Sequence, residues 1–461
     1  MAHVISDLSK YVIVFFMALY TILCVFCVRD KENDNHGWIY ALQIVCMFLV
    51  HFLGFAAICL ETGDISYIIF YGFQQILLFA TIALYRVVYP AVSKLLINNM
   101  CMLLTISFMI LTRISYEKSI KQFMIVTASL IVGLFIPYFI KKMRFLKHLT
   151  WIYGMIGILL LTIVAVLGAV THGAKLSYAI GGISFQPSEF VKILFVFFVA
   201  GMLKESKSFL QVVITSLIAA IHVLTLVLSK DLGSALIFFV TYLVMLYVAT
   251  RKLYYILAGA LCGSVAAYAA YHLFSHIQVR IIAWQDPWNH INDEGYQITQ
   301  SLFAIGTGGW YGMGIYQGNP TAIPYVEQDF IFSAIAEELG VIFAICMILL
   351  CISCFVAIMT IAMRLEEEFY KYIAVGIGMI YITQVFLTIG GGTRFIPLTG
   401  VTLPLISYGG SSVLATIIMF CIVQGLYCVR EQEGIRHAKK AKRRKTTNTT
   451  VREIEADDRD S

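Results

Sequence analysis

The chain has 461 residues, of which 60% are hydrophobic and only 13% are charged, and its mean hydropathy is +0.83. This composition excludes a soluble globular protein and predicts an all-α, polytopic integral membrane protein. The net charge of +6 comes largely from a basic run between Arg430 and Lys445, which is typical of an anchor to anionic lipid headgroups and not of a nucleic-acid-binding surface.

Membrane-spanning helices are predicted by apolar runs, since one crossing needs about 20 apolar residues. Thirteen runs meet this expectation, with a margin of one or two. They lie near residues 11–28, 38–60, 67–89, 99–114, 122–140, 150–172, 189–203, 208–229, 233–250, 253–274, 330–362, 371–390 and 411–429.

The orientation follows from lysine and arginine in the short loops, which favour the cytoplasmic side. Basic clusters at 141–147, at 251–252 and at 439–445 are therefore predicted to be cytoplasmic. With alternating crossings, the long loop 275–329 and the N-terminus are predicted to be external. The segment 113–121 also falls outside, although it is basic.

Two short polar segments interrupt the apolar chain in its second half. In FQPSEFVK, Glu189 and Lys192 are three residues apart, so a helix places them on one face, either as a structural ion pair or as part of a site. In SKDLGSA, Asp231 stands between two apolar runs. We expect this carboxylate to cap the helix that follows it, rather than to act in catalysis.

The third polar segment is the loop that ends at Asp329, directly before an apolar helix. Ionisable groups at such a boundary are costly and tend to mark function. The loop contains Arg280, an anion-binding candidate, and six glycines between residues 306 and 318. These glycines fit no nucleotide-binding motif, and they either turn the chain or admit a ligand such as a diphosphate.

The fourth polar segment, from Thr388 to Ser412, contains two prolines and many glycines and hydroxyls. Irregular backbone at membrane depth is tolerated where it lines a wet cavity. We predict that the four segments converge on one outward-facing pocket. Glu337 and Glu338, roughly 12 Å deeper on the same helix as Asp329, are expected to be structural partners of cations or hydroxyls.

Five motifs together resemble those of the SEDS family (shape, elongation, division and sporulation), which includes the RodA, FtsW and SpoVE proteins. In order, they are FQPSEFVK, DLGSA, YQITQSLFAIGTGGWYGMGIYQG, IPYVEQDFIFSAIAEELG and PLTGVTLPLISYGGSS. The resemblance implies a ten-helix core at 96–430, which leaves about three extra helices at 1–95 and a basic, disordered cytoplasmic tail at 431–461.

The resemblance also implies a glycosyltransferase of the bacterial cytoplasmic membrane that polymerises lipid II, releases undecaprenyl diphosphate and works with a class B penicillin-binding protein. The family's essential aspartate matches Asp329, the expected general base. The expected substrate-binding residues are Arg280, Glu189, Lys192, Gln297, Gln300, Arg394, Ser407 and Ser411. Arg280, Arg394 or a divalent cation such as Mg²⁺ or Mn²⁺ is expected to neutralise the departing diphosphate.

The sequence departs from the family at one position near Asp329. Family members commonly have Pro-Glu before the aspartate, whereas here Tyr325 follows Pro324 and the acid is displaced to Glu327. Two other functions stay open. A flippase for the lipid-linked precursor would place polar groups toward the midplane from both sides, and an inactive scaffold would only recruit a transpeptidase.

Overall fold

The computed structural model describes residues 2–29, 37–142, 144–171, 174–180, 183–205 and 208–434. Its α-helices are α1 (Ala2–Arg29), α2 (Gly37–Thr62), α3 (Ile65–Val88), α4 (Lys94–Ile114), α5 (Tyr116–Lys142), α6 (Thr150–Leu167), α7 (Pro187–Glu205), α8 (Phe209–Leu228), α9 (Leu232–Thr250), α10 (Leu253–Leu273), α11 (Ser275–Gln285), α12 (Tyr296–Gly308), α13 (Ile331–Arg364), α14 (Glu368–Gly392) and α15 (Gly410–Gly434). Short 3-10 helices lie at Arg144–His148 and Pro320–Ala322.

Twelve of the described helices are long and apolar enough to cross a membrane. The predicted span at 189–203 corresponds to the 19-residue helix α7, which is not among the twelve. This helix carries four charged residues, Glu189 and Lys192 near its start and Lys204 and Glu205 at its end. Helix α7 packs against α6, α9 and α14, and its Glu189 and Lys192 side chains are buried. The chain is a polytopic helical membrane protein, as predicted.

One small sheet adds to the helical fold. Strands β1 (Ala169–Thr171), β2 (Ala174–Ile180) and β3 (Ile183–Phe185) pair antiparallel in the order β1-β2-β3. They lie between α6 and α7, with β1 at the end of the predicted span 150–172 and β2 and β3 after it. The sequence analysis did not predict these strands.

Helix α4 lies at the centre of the bundle, with every residue from Leu95 to Thr112 buried. A polar network at its middle joins α1 to α13: the Tyr20 hydroxyl donates to Asn99 Oδ1 at 3.0 Å, and Asn99 Nδ2 donates to Ser353 Oγ at 3.1 Å. Polar groups inside a membrane must find partners on neighbouring helices. The network therefore fixes α1 to the core.

The basic segment 113–121 lies beside the long loop, as the predicted alternation requires. Arg113 Nε lies 2.8 Å from Glu338 Oε1, and Lys118 Nζ lies 2.6 Å from Glu327 Oε1. Acidic residues of the loop and of α13 neutralise this segment, which accounts for its exception to the lysine and arginine bias. The predicted basic cluster at 439–445 lies outside the described residues.

The long loop contains two helices, α11 and α12, which the sequence analysis did not predict. Helix α13 is broken at Gly340, where φ is +85°. Residues 309–314, which we call the plug, fill this break. The Met313 and Gly314 N–H groups donate to the carbonyls of Glu337 and Glu338, each at 2.9 Å, while Val341 N–H donates to the Gly309 carbonyl at 2.9 Å.

Glycine is required in this plug because the backbones nearly touch. A Cβ at Gly312 would lie 2.2 Å from the Glu338 carbonyl oxygen, and one at Gly340 would lie 2.3 Å from the Gly312 nitrogen. Of the two roles left open for the loop glycines, turning and close packing of the chain is the role seen at these positions.

Candidate active site

Asp329 lies at the end of a backbone turn, two residues before α13 begins. Its N–H donates to the Tyr325 carbonyl at 3.2 Å. The fourth polar segment holds this turn, because Tyr408 N–H donates to the Glu327 carbonyl at 2.7 Å and the Ser407 hydroxyl donates to the Gln328 carbonyl. The position of Asp329 is therefore set by residues almost 80 positions further along the chain.

Ser407 was predicted to bind substrate, but its contacts indicate a positioning role. Its side chain is buried, and its oxygen also accepts the Leu403 N–H at 2.8 Å. The Ser407 hydroxyl thus donates one hydrogen bond to the backbone and accepts another from it.

Arg280, on α11, meets Asp329 at Gly400. Arg280 Nη1 donates to the Thr399 carbonyl at 3.1 Å. A Cβ at Gly400 would lie 3.6 Å from Arg280 Nη2 and 3.9 Å from Asp329 Oδ2. Gly400 has φ +74°, a conformation that favours glycine. The cation and the carboxylate therefore face a stretch of backbone that carries no side chain.

The electrostatics of this pair suit acid–base chemistry. Burial raises the pKa of Asp329 to about 6, with the Arg280 cation opposing the rise and Glu327 adding to it. Burial lowers the pKa of Arg280, which Asp329 and Asp231 counteract. Within the described residues, no group donates a hydrogen bond to the Asp329 carboxylate. A carboxylate without a donor is free to accept a proton from a ligand.

Asp231 caps α9, as expected from the sequence: its Oδ1 accepts the Ser234 N–H at 3.0 Å. Its Oδ2 accepts the Ser188 hydroxyl at 3.3 Å and Gln186 Nε2 at 3.4 Å. Burial raises the pKa of Asp231, and the Ser234 hydrogen bonds oppose that rise. Gln186 N–H also donates to Ser411 Oγ at 3.0 Å, so the first, second and fourth polar segments meet here.

Glu189 and Lys192 form a buried ion pair, with 2.7 Å between Oε2 and Nζ and side-chain exposures of 7% and 4%. Lys192 Nζ also donates to Gln384 Oε1 at 2.9 Å, and Gln384 Nε2 donates to the Thr402 carbonyl at 3.0 Å. Sequence reasoning missed Gln384. Its signal was a lone amide in the apolar helix α14, which lipid would not tolerate without a partner.

Arg394 is engaged at the C-terminal end of α11, where it satisfies helix carbonyls. Its Nε donates to the Trp284 carbonyl at 2.9 Å and its Nη2 to the Gln285 carbonyl at 2.8 Å. Arg394 also lines a cavity of about 580 Å³ with Trp284, Gln285, Leu302 and Thr393. Its predicted contact with substrate is not supported by a contact with Asp329 or Arg280.

Gln297 and Gln300 both lie on α12 and are partly buried. Among the described residues, no hydrogen bond joins either side chain to the other predicted site residues. Their predicted contact with substrate stays a prediction.

Glu337 and Glu338 are structural partners, in keeping with the sequence analysis. Glu338 Oε1 pairs with Arg113 and accepts the Tyr316 N–H at 3.2 Å, while Glu337 Oε1 accepts the Asn319 N–H at 2.8 Å. Both carboxylates thus hold the chain that follows the plug.

A divalent cation was one expectation from the sequence. In the described part of the chain, no three His, Cys, Asp or Glu side chains gather at metal-binding positions. Glu327, the acid that precedes Asp329, is paired with Lys118. The side chains around Asp329 therefore do not fit a metal site made by the protein.

Comparison with known proteins identifies the family. Residues 86–431 match the sequence profile of the cell cycle proteins FtsW, RodA and SpoVE. The peptidoglycan glycosyltransferase RodA of Mycobacterium leprae is 34% identical over 336 residues, covering 69% of this chain and 71% of that protein. A probable peptidoglycan glycosyltransferase FtsW of Aliivibrio salmonicida is 30% identical, covering 69% and 83%.

The fold agrees with a solved structure. A chain of a peptidoglycan synthase complex, studied for the structural coordination of polymerization and crosslinking, superposes with a TM-score of 0.64 and 23% identity, covering 74% of this chain and 99% of that one. This likeness concerns the fold, whereas the profile match spans most of the sequence. The chain therefore belongs to the cell cycle protein family that comprises FtsW, RodA and SpoVE.

Proposed function

We propose that this protein is a peptidoglycan glycosyltransferase that polymerises lipid II into glycan strands at the outer face of the bacterial cytoplasmic membrane. Relatives in the family are named peptidoglycan glycosyltransferase or probable peptidoglycan glycosyltransferase. The synthase complex of similar fold couples polymerization to crosslinking, which supports a transpeptidase of the class B penicillin-binding type as partner.

The observation that carries the proposal is the Asp329 carboxylate. It has no hydrogen-bond donor among the described residues, and it lies with Arg280 on the same side of Gly400. A general base works best when its pKa lies near the working pH. With a pKa of about 6, Asp329 is mostly ionised at neutral pH and is a stronger base than an ordinary aspartate.

In the reaction, the Asp329 carboxylate takes the proton from a sugar hydroxyl of the incoming lipid II. The hydroxyl oxygen forms a bond to the anomeric carbon of the lipid-linked strand. The bond from that carbon to the diphosphate oxygen breaks, and its electron pair leaves with undecaprenyl diphosphate. The proton stays on Asp329 until solvent removes it.

Arg280 is placed to stabilise the negative charge that develops on the leaving diphosphate. Its Nη1 is fixed by the Thr399 carbonyl, and its Nη2 faces Gly400. A cation that is already held in place stabilises developing charge without reorganising during the reaction. Asp329 thus accepts the proton, and Arg280 stabilises the charge on the leaving group.

The test uses purified protein with its transpeptidase partner, fluorescent lipid II and a gel that resolves glycan strands. Asp329→Asn keeps the shape and removes the base, so polymerisation should fall by about 10²- to 10⁴-fold. The matched control is Asp293→Asn, the same change at an exposed position of the same loop, and it should polymerise normally.

Polymerisation by Asp329→Asn at the wild-type rate would contradict the base assignment. A protein that moves lipid II across vesicles but forms no strands in any variant would instead be a flippase.

A further inference from the structure

The N-terminal helices α1–α3 pack on the core at several places, and one of these is the plug together with the two residues after it. Lys10 Nζ donates to the Met313 carbonyl at 3.4 Å, and the Tyr11 and Tyr311 ring centroids lie 5.2 Å apart. On α2, Gly54 lies against Ile315. Most of α1–α3 precedes the residues that match the family profile, which begin at residue 86.

Helix α3 lies near the same segment, because the Tyr67 phenol is close enough to contribute to the raised pKa of Tyr316. The Arg113 guanidinium lies 4.0 Å from the centre of the Tyr316 ring. Residues of all three N-terminal helices therefore lie at or near the stretch 311–316.

The plug in turn holds the outer half of α13, residues 331–339. Four backbone hydrogen bonds of 2.9 to 3.2 Å cross the break at Gly340 between the plug and α13. Helical carbonyls and amides at a break must find partners elsewhere in a membrane protein. A displacement of the plug would therefore leave the outer half of α13 without those partners.

The outer half of α13 begins two residues after Asp329. Helix α1 is also anchored deeper in the membrane, where the Thr21 hydroxyl lies 3.4 Å from the Cys346 carbonyl of α13. Helix α1 thus contacts the plug directly and contacts α13 on the inner side of the break.

We infer that α1–α3 position Asp329 by bracing the plug, with the Tyr11–Tyr311 contact as the outer element of this brace. Tyr11 acts through the plug and is a positioning residue. The inference rests on the proposed function only for its activity readout. Misplacing a catalytic group by about 1 Å costs rate far more than substrate affinity when binding contacts are retained.

The experiment compares Tyr11→Ala, Tyr11→Phe and Phe15→Ala in the full-length protein. Phe15 is the matched control, since it is an aromatic residue one turn further along α1 and is 60% exposed. Hydrogen exchange of peptides covering residues 309–314 and 331–339 is measured by mass spectrometry. Tyr11→Ala should exchange several-fold faster in both peptides, while the other two variants should match the wild type.

Polymerisation assays give the second readout. Tyr11→Ala should lower kcat several-fold with little change in KM, and Tyr11→Phe should restore kcat because it keeps the ring. Unchanged exchange at 331–339 in Tyr11→Ala, or equal effects from Phe15→Ala, would overturn the inference. Because exchange needs no substrate, this failure is distinguishable from a failure of the proposed function.

Discussion

Asp329 and Glu338 are two carboxylates near the same end of α13, and they differ in their partners. Glu338 Oε1 pairs with Arg113 Nε at 2.8 Å and accepts the Tyr316 N–H at 3.2 Å. Asp329 receives no hydrogen bond from the described residues and only faces Arg280. A carboxylate that is fully paired stabilises the protein, whereas one held near a cation but left without a donor is available to react.

The largest effect is expected when Glu338, the paired carboxylate, loses its charge. Glu338→Gln leaves the Arg113 cation in a site where its side chain is only 12% exposed, and removing one partner of a buried ion pair costs roughly 3–5 kcal/mol. Thermal unfolding of the purified protein should show a clear loss of stability. Because glutamine keeps an oxygen that can accept the Tyr316 N–H, activity per folded molecule should fall far less than in Asp329→Asn.

The double variant Glu338→Gln with Arg113→Gln is the control for this prediction. Removing both charges should recover part of the lost stability, because no unpaired cation remains. A large drop in the turnover of folded Glu338→Gln protein would mean that the contrast between the two carboxylates is false.

The next effect concerns the cation that faces Asp329. Arg280→Ala should lower kcat by about 10²-fold, the scale of one preorganised charge-stabilising group, while expression stays near normal. Arg280→Lys keeps a charge but loses the planar group that bonds the Thr399 carbonyl, so we expect an intermediate rate. Steady-state kinetics on matched amounts of folded protein give the measurement, and a loss of folded protein alone would contradict a role in the site.

The smallest effect is a shift of the pH profile. Asp329 must be ionised to act as a base, so the rate should fall as the pH drops through about 6. Lys118→Met removes the cation that pairs with Glu327. The unneutralised Glu327 then disfavours a second negative charge, which raises the pKa of Asp329 and moves the acidic limb to higher pH.

Because the Lys118 side chain is 41% exposed, solvent screens its charge and the shift should stay below about one pH unit. Lys121→Met, the same change at an exposed position of α5, should leave the limb in place. The pH dependence of polymerisation measures both variants, and an acidic limb at lower pH in Lys118→Met would contradict the expected direction.

Much of this arrangement was predictable from local sequence. The cap by Asp231 depends on its place before an apolar run, and the Glu189–Lys192 pair depends on a spacing of three residues in a helix. Thirteen spans were predicted, and twelve of the described helices are long and apolar enough to cross a membrane. The division at residue 95 stays a prediction, although the family profile begins nearby at residue 86.

Other features depend on residues that are far apart in the chain. The ion pairs Arg113–Glu338 and Lys118–Glu327 join residues separated by 225 and 209 positions. Spacing rules reach only one or two helical turns, so they cannot choose among such partners. For the same reason, the bonds of Arg394 to the end of α11 could not be predicted from its position in the sequence.

The sequence by itself determined the class of protein, the apolar spans and the acid at the boundary of α13, because hydrophobicity and helix capping act between near neighbours. The tertiary structure alone decided which carboxylates are paired, where α13 breaks and how the N-terminal helices reach the plug. These outcomes depend on backbone packing and charge pairing between distant segments, which are fixed only when the helices assemble.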